Sequence, residues 1–391
     1  KKQIKRLNSN KCSINELLLN KINSDTSLID EQQKALTNAL SRSISIIYGG
    51  PGTGKSFLAT KLVKYLLEQK NLNIVITAFT GKAKNHLKSS ILSFDQNLTI
   101  DAKTLHQLLK LKKEKDIFLE ENFLTYDLVI VDEASMVDIR LMAKLLGSLK
   151  NSSKLLLLGD CNQLPPVGSI DIFTKMLTLE NEISITKLSK YHRFENKNLL
   201  EVIKKAKDFI SYENFSNNDL KKLANNSCEV FEKELTFIKE EITKIAKSKY
   251  CFFDIDENNI KSAFSKFINF KILAPSNDGF GILEINNHIL KTLQQTAINN
   301  TKIALPIIIT KNDYSLDLFN GTFGIIIASL KKSRNNSNIF YEYACFLDEK
   351  QKIRKIKTSI LPSFEIAYCI SVHKSQGSEF KDVLLVLPNT K

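Results

Sequence analysis

One glycine-rich segment contains the residues whose types and spacing indicate chemistry most clearly. Residues 49–56 read GGPGTGKS, which matches the pattern G-x-x-x-x-G-K-[ST] in full. Backbone N–H groups of such a loop converge on a phosphate group, and the glycines permit the tight path. Lys55 would give positive charge to the β- and γ-phosphate oxygens, and the Ser56 hydroxyl would bind Mg²⁺. The phosphate-binding positions are therefore Gly50, Pro51, Gly52, Thr53, Gly54, Lys55 and Ser56.

Two adjacent carboxylates are the expected partners of this loop. Asp132 and Glu133 follow the apolar run 128–131. Such a pair by itself is often only the acidic start of a helix. Together with the upstream loop it predicts that Asp132 holds the metal and that Glu133 polarises the attacking water.

A third polar segment, residues 159–166, follows another apolar run and reads GDCNQLPP. Gln163 at the carboxyl end of a strand would sense the γ-phosphate or orient a water molecule. The same residues equally fit a rigid turn, because Gly-Asp and Pro-Pro pairs favour turns. The residues alone leave both interpretations open.

Alternating strand and helix signals surround these segments. Residues 44–48, 73–78, 127–131 and 154–158 are apolar runs of strand length, and residues 56–69 and 137–149 have helical spacing. Continuous apolar strands that alternate with helices predict a parallel sheet covered on both faces, hence an α/β fold. Residues 196–270 have helical spacing, strands return at 271–274 and 306–310, and short β runs within 324–365 predict a small inserted barrel or hairpin.

Composition and charge narrow the class of protein without identifying a ligand. The 391 residues carry 56 Lys and Arg against 42 Asp and Glu, a net charge of +14, and include six arginines. This excess indicates either a solvated lysine-rich surface or a polyanionic partner. The six cysteines are scattered, which favours a cytoplasmic protein over a disulfide scaffold or zinc ribbon, and no apolar run approaches the ~20 residues of a membrane helix.

In motif order, the chain resembles superfamily-1 DNA helicases of the B type, and within them the RecD family, the alpha subunit of exonuclease V. Residues 28–36 resemble the adenine-reading motif of that family, with Gln32 in the reading position. The TGKA segment at 80–83 and the TLH segment at 104–106 resemble DNA-contacting motifs. The resemblance thus implies DNA contacts by Thr80, Lys82, Thr104 and His106.

The resemblance continues through the second half of the chain. Residues 191–194, YHRF, resemble a motif whose arginine acts as a finger on the γ-phosphate, which points to Arg193 as a catalytic residue. The 311–324 segment resembles the family's run before its inserted domain and suggests a DNA contact by Asn320. The loop 372–380, VHKSQGSEF, resembles a motif that touches both DNA and nucleotide. It implies DNA contacts by His373, Lys374 and Ser375, and nucleotide contacts by Gly377 and Glu379.

Taken together, the resemblance implies two RecA-like P-loop NTPase lobes with parallel sheets, at residues 28–188 and 189–391, after an N-terminal remnant at 1–27. A small β-barrel insertion is expected at about 324–362, and a strand-separating pin at 117–124, within a short insertion near 109–125. The implied function is an ATP- and Mg²⁺-dependent DNA helicase that steps 5′ to 3′ on single-stranded DNA. It would act with RecB- and RecC-like subunits in double-strand break repair and recombination.

The family pattern is incomplete at both ends of the sequence. About 45 residues precede the phosphate-loop strand, and no arginine follows the 372–380 loop where the family has a further motif. We expect a part of a longer protein that by itself binds ATP without turnover. A stand-alone helicase of the same fold, a non-motor P-loop ATPase and a scaffolding subunit remain the alternatives. No clustered acidic nuclease motif is present beyond Asp132 and Glu133.

Overall fold

The computed structural model of the chain divides into two compact units, Lys1–Phe231 and Glu232–Lys391. It describes residues 2–8, 16–68, 72–79, 81–93, 100–111, 123–166, 169–192, 201–206, 221–222, 224, 228–250, 255, 259–297, 301–313, 315–332, 337–348 and 352–387. The expected boundary between residues 188 and 189 stays a prediction.

Unit 1 is built on a six-stranded sheet with helices between its strands. The strands are β1 (Ile44–Gly49), β2 (Ile74–Ala78), β3 (Asp101–Thr104), β4 (Leu128–Asp132), β5 (Lys154–Gly159) and β6 (Ser184–Leu188). Their order is β3-β2-β4-β5-β1-β6, and every pair is parallel. The helices are α1 (Lys2–Asn8), α2 (Glu16–Ser24), α3 (Asp30–Ser41), α4 (Lys55–Leu67), α5 (Gly81–Leu92), α6 (Leu105–Leu108), α7 (Ile139–Ser148) and α8 (Ile172–Met176).

The sheet of unit 1 has an apolar layer on each face, which explains the continuous apolar strands. On β4, Val129 and Val131 pack into one cluster with α7, whereas Leu128 and Ile130 pack into the other with α4. A fully buried side chain of this kind contributes roughly 1.5–3 kcal/mol. Because both faces are buried, polar side chains are left to the strand ends, where the chemistry predicted above is located.

Unit 2 contains a short parallel sheet and a larger antiparallel one. Its strands are β7 (Phe270–Ala274), β8 (Thr301–Ile309), β9 (Phe323–Lys332), β10 (Ser337–Leu347), β11 (Ile353–Lys357), β12 (Phe364–Ile366), β13 (Cys369–Ser371) and β14 (Asp382–Leu385). The parallel sheet has the order β13-β7-β14, and the antiparallel sheet the order β11-β10-β9-β8-β12. The helices are α9 (Leu235–Lys249), α10 (Ile260–Asn269), α11 (Ile282–Thr296) and α12 (Val372–Ser375).

The predicted α/β class, with a parallel sheet in the first unit, is confirmed. The strand predictions differ mainly at their ends, since β8 begins at Thr301, five residues before the predicted start at 306. The antiparallel sheet also includes β8 and β12, which lie outside residues 324–362. The expected limits of the inserted β domain therefore stay a prediction. In the part of the chain that the structure describes, no helix has the length and apolar character needed to cross a membrane.

A buried amide joins α11 to strand β13 in unit 2. The Asn286 side chain is 6% exposed. Its Nδ2 donates to the Cys369 carbonyl at 2.9 Å, and its Oδ1 accepts from the Cys369 N–H at 2.9 Å. Tyr368, the residue before Cys369, packs against Tyr250 with ring centroids 5.0 Å apart. Burial in this apolar surrounding raises the pKa of the Cys369 thiol to about 12, although Lys271 acts in the opposite direction.

We expect Asn286→Ala to lower the free energy of unfolding by about 2–4 kcal/mol, because it leaves two buried backbone groups of Cys369 without partners. Chemical denaturation monitored by circular dichroism measures this change. Asn287→Ala is the matched control, since Asn287 is the next residue of α11 and is exposed. Equal denaturation midpoints for the two variants would show that the buried amide adds no net stability.

Candidate nucleotide site

The phosphate loop joins the end of β1 to the start of α4. Gly52 and Gly54 have φ angles of 73° and 93°, a left-handed conformation that favours glycine. A Cβ at Gly49 would lie 2.6 Å from the Leu188 carbonyl oxygen, so the loop also needs glycine there for close packing. The buried Thr53 hydroxyl donates to the Gly50 carbonyl at 2.8 Å. The loop is therefore held in shape by its own contacts.

Lys55 begins α4, and its ammonium group faces back along the loop. Its Nζ donates to the carbonyls of Gly49 at 2.7 Å and Gly50 at 2.9 Å. Ser56 follows it in the first turn of the 13-residue α4. The N-terminus of a helix attracts anions through its free N–H groups and its dipole. A phosphate group bound there would meet the helix terminus and the Lys55 charge together.

The two acidic residues lie at the carboxyl end of β4. Asp132 is 7% exposed, and its Oδ1 accepts from the Glu133 N–H at 2.9 Å. Glu133 has a φ of 52°, an uncommon conformation for a residue other than glycine. Burial raises the pKa of Asp132, while the Glu133 N–H and the Lys55 charge act in the opposite direction. Burial and the Asp132 charge raise the pKa of Glu133, and Lys55 and Gln163 partly offset this rise.

The segment after β5 forms a turn and also reaches the acidic pair. Asp160 accepts from the Asn162 N–H at 3.0 Å through Oδ1, and its carbonyl accepts from the Gln163 N–H at 3.2 Å. The Gln163 side chain lies near Glu133 and acts to lower the pKa of its carboxyl group. Among the described residues, Glu133 Oε2 and Gln163 Oε1 are shielded from solvent without a hydrogen-bond partner. The segment therefore forms a turn, and the expected role of Gln163 toward the γ-phosphate or a water molecule stays a prediction.

These residues fit a nucleotide with a divalent cation. Mg²⁺ is usually held by one or two protein ligands plus phosphate oxygens and water. Within the described ranges, no group of three or more His, Cys, Asp or Glu side chains could hold a metal ion alone. The Ser56 hydroxyl and the Asp132 carboxylate are suitable oxygen ligands for such a cation. The buried Glu133 Oε2 and Gln163 Oε1 atoms have no hydrogen-bond partner, so each can accept a hydrogen bond from a polar ligand.

Gln32 and His192 lie beside the same loop. Gln32 is 4% exposed, and its Oε1 accepts from the Ile29 N–H at 3.2 Å, which fixes the amide. Gln32 Nε2 lies 3.5 Å from His192 Nε2, and the His192 N–H donates to the Gly52 carbonyl at 2.9 Å. Sequence reasoning missed His192. Its place beside Arg193 in the YHRF segment was the available signal, and Arg193 itself lies outside the described residues.

Thr104 and His106, two of the residues expected to contact DNA, interact with neighbouring residues of unit 1. Thr104 caps α6 by accepting from the Gln107 N–H at 3.3 Å, and Gln107 Oε1 accepts from the Thr104 N–H at 2.8 Å. His106 packs edge-on against Phe79 with ring centroids 5.7 Å apart, and burial lowers its pKa. Their roles on DNA stay predictions. Thr80, the Lys82 side chain and most of the expected pin at 117–124 lie outside the described residues.

The candidates of unit 2 lie in the loop around Asn320 and in the segment formed by α12 and the residues after it. Asn320 donates its N–H to Asn312 Oδ1 at 2.7 Å. The segment after β13 brings the remaining candidates together: His373 is exposed, Lys374 pairs with Glu365 at 2.6 Å, and the Ser375 hydroxyl donates to the Val372 carbonyl at 2.7 Å. Gly377 has a φ of 67°, and Glu379 is exposed. The roles of these residues also stay predictions.

Comparison with known proteins places the chain among helicase-related sequences. The family model described as "AAA domain" matches residues 32–169, the part of unit 1 that holds the phosphate loop and the acidic pair. The RecBCD enzyme subunit RecD of Buchnera aphidicola (subspecies Acyrthosiphon pisum) is 32% identical, over 92% of this chain and 67% of its own length. The ATP-dependent RecD2 DNA helicase of Deinococcus radiodurans is 28% identical, over 92% of this chain and 45% of its own length.

A solved structure of Bacteroides Pif1 bound to single-stranded DNA aligns with a TM-score of 0.45 at 16% identity, over 92% of this chain and 86% of that chain. The assignment to a family rests on the sequence relatives and not on this alignment. The identity and coverage shared with the Buchnera subunit support one conclusion. The phosphate loop, the acidic pair and the Gln163 segment, which follow one another along the chain, agree with it. The chain belongs to the RecD family of RecBCD enzyme subunits.

Proposed function

We propose that this chain is the ATP-driven motor of a DNA helicase subunit. The observation that carries the proposal is that three charged residues lie at the same edge of one sheet. Lys55 follows the loop after β1, and Asp132 and Glu133 lie at the carboxyl end of β4. The Lys55 charge acts on both carboxyl groups. Ligands of open α/β sheets bind at such strand ends. Each group has the chemistry that transfer of a phosphoryl group to water requires.

The chain's own residues divide the work of hydrolysis. The loop N–H groups and Lys55 bind the β- and γ-phosphates and stabilise the charge that develops on them. Glu133 accepts a hydrogen bond from the attacking water and takes up its proton. Gln163 is the candidate for sensing the γ-phosphate or orienting that water. Bound Mg²⁺, held by Ser56 and Asp132, would supply positive charge to the phosphate oxygens. Gln32 is the candidate for reading adenine, and Arg193 is the candidate finger.

Energy from this cycle would move the protein along single-stranded DNA. The candidate contacts are Thr80, Lys82, Thr104 and His106 in unit 1, and Asn320, His373, Lys374 and Ser375 in unit 2. Gly377 and Glu379 would link the DNA-contacting loop to the nucleotide. Phosphate contacts of this kind make binding salt-dependent and largely independent of sequence. The family suggests stepping from 5′ to 3′, RecB- and RecC-like partner subunits, and a role in double-strand break repair.

The test is ATP hydrolysis by the full-length protein with and without a single-stranded oligonucleotide, at fixed magnesium. We expect strong stimulation by DNA that weakens as salt is raised, because salt competes for the phosphate contacts. Displacement of streptavidin from a 3′ but not a 5′ biotin end would report the proposed direction. Turnover that proceeds at the same rate without DNA would contradict a motor function and leave a simple P-loop ATPase. Co-purification with RecB- and RecC-like subunits tests the assembly separately.

A further inference from the structure

Helix α3 supplies a carboxylate to the chain segment that leaves strand β6. We call this segment, residues 189–192, the crossing segment. Glu31 Oε1 accepts from the Ser189 N–H at 2.9 Å, and Glu31 Oε2 accepts from the Lys190 N–H at 3.3 Å. Bonds from N–H groups to a carboxylate are charge-assisted and stronger than bonds between neutral groups. One side chain therefore fixes two consecutive peptide groups directly after the strand, and none of the roles assigned above uses it.

The crossing segment runs beside the phosphate loop. Strand β6 pairs with β1 as far as Leu188, which lies opposite Gly49 at the start of the loop. The two residues are so close that a Cβ at Gly49 would lie 2.6 Å from the Leu188 carbonyl oxygen. At the other end of the segment, the His192 N–H donates to the Gly52 carbonyl at 2.9 Å. The chain thus touches the loop both before and after the two N–H groups that Glu31 binds.

The bond from His192 sets the orientation of one peptide group in the phosphate loop. The peptide bond between Gly52 and Thr53 is trans, and a trans peptide directs its C=O and N–H groups to opposite sides. Because the Gly52 carbonyl points toward the crossing segment, the Thr53 N–H points away from it. The N–H groups of such a loop are the groups that bind phosphate. The crossing segment therefore orients one of these donors.

We infer that Glu31 is a positioning residue for the phosphate loop, and that it acts through the backbone of the crossing segment. Its carboxylate fixes the segment, and the His192 N–H then fixes the peptide group between Gly52 and Thr53. A loop that is already in shape loses less conformational entropy when its ligand binds. The inference rests on the proposed function, because it takes the phosphates of ATP as the ligand of the loop.

Two simpler roles of Glu31 compete with this one. The first is docking of α3 on β6, to which Asn38 also contributes, since its Nδ2 donates to Thr186 Oγ1 at 3.1 Å. The second is support of adenine reading, because Gln32 is the next residue and its Nε2 lies 3.5 Å from His192 Nε2. Asn38 belongs to the same helix and bonds to the same strand, but its bond does not reach the crossing segment. The three roles therefore predict different results.

Nucleotide affinity of the full-length protein, measured without DNA, tests the inference. We expect Glu31→Ala to weaken binding of a non-hydrolysable ATP analogue with Mg²⁺ about fivefold, because two bonds to a partly exposed carboxylate are lost. Inorganic tripolyphosphate carries the phosphates without the base and should weaken by the same factor. The KM for ATP should rise equally, while kcat with saturating DNA stays within about twofold, because the lost binding is common to ground and transition states.

Three further variants serve as controls. Asn38→Ala breaks the other bond between α3 and β6, and Asp30→Ala removes an exposed acidic residue from the same helical turn. Both should leave the affinity within about twofold of wild type. Ser189→Pro removes the N–H that lies closest to the Glu31 carboxylate. The combined Glu31→Ala/Ser189→Pro protein should lose less affinity than the product of the two single losses, because both substitutions break the same contact.

Four results would overturn the inference. Unchanged affinity of Glu31→Ala for the ATP analogue would show that the carboxylate has no influence on the loop, and an equal loss in Asn38→Ala would reduce its role to helix docking. A loss for the ATP analogue without one for tripolyphosphate would assign Glu31 to adenine reading. Independent losses from Glu31→Ala and Ser189→Pro would exclude the backbone route. Affinity is measured without DNA, whereas DNA stimulation decides the motor function, so the two proposals fail independently.

Discussion

Lys55→Ala should reduce DNA-stimulated ATP hydrolysis by about 10²–10³-fold, the range seen when one preorganised charge-stabilising donor is removed from an active site. The ammonium group is bonded to the loop carbonyls of Gly49 and Gly50 and stands at the start of α4, where the phosphates would bind. Alanine keeps the helix, because it has the highest helix propensity. Steady-state phosphate release with saturating DNA measures the loss.

The matched control is Lys64→Ala, which removes an exposed lysine from the same helix. It should leave turnover within about twofold of wild type, since a surface substitution of this kind changes stability by less than about 0.5 kcal/mol. Circular dichroism should be unchanged for both variants. Hydrolysis by Lys55→Ala at a tenth of the wild-type rate or more would contradict the assignment of the phosphate site.

Glu133→Gln should separate nucleotide binding from hydrolysis. The amide keeps the size of the side chain but cannot accept a proton from the attacking water, a loss worth about 10²–10⁴-fold in rate. Binding should persist because the loop and Lys55 are unaltered. The substitution also removes the repulsion between the Asp132 and Glu133 charges. Binding of a fluorescent ATP analogue and single-turnover hydrolysis measure the two properties separately.

Glu180→Gln is the control for this substitution, because Glu180 is an exposed glutamate of the same unit. A Glu133→Gln protein that hydrolyses ATP within tenfold of wild type would show that another group acts on the water. A protein that loses nucleotide binding altogether would assign Glu133 to the binding of the nucleotide or its cation. These outcomes differ from those expected for Lys55→Ala, which removes charge from the phosphates themselves.

The phosphate loop and acidic pair were predictable because each is encoded within a few consecutive residues. Positive φ angles at Gly52 and Gly54, and two carboxylates at a strand end, follow from local sequence. The α/β class followed similarly from apolar runs whose length suits strands buried on both faces. Such local signals predict structure well because tertiary contacts stabilise a conformation that the local sequence already favours.

Other features depend on contacts between distant residues and were not predictable. The bond from His192 to Gly52 joins residues 140 positions apart. The register of β10 shifts at a bulge between Tyr341 and Tyr343, and a shift of one residue exchanges the two faces of a strand. His106 packs against Phe79, a residue from an earlier segment of the chain, and its expected DNA contact stays a prediction. No pattern near these residues in the sequence specifies such pairings.

The burial of Cys369 gives unit 2 a chemical reporter of its own opening. Because the thiolate is the reactive form, a thiol with a pKa of about 12 is almost inert toward alkylating reagents at neutral pH while the unit is closed. Release of β13 from Asn286 would return the thiol to water and to ordinary reactivity. Since β13 leads directly into α12, the rate of alkylation at this single sulfur would follow breathing of the segment that holds the candidate DNA-contacting loop.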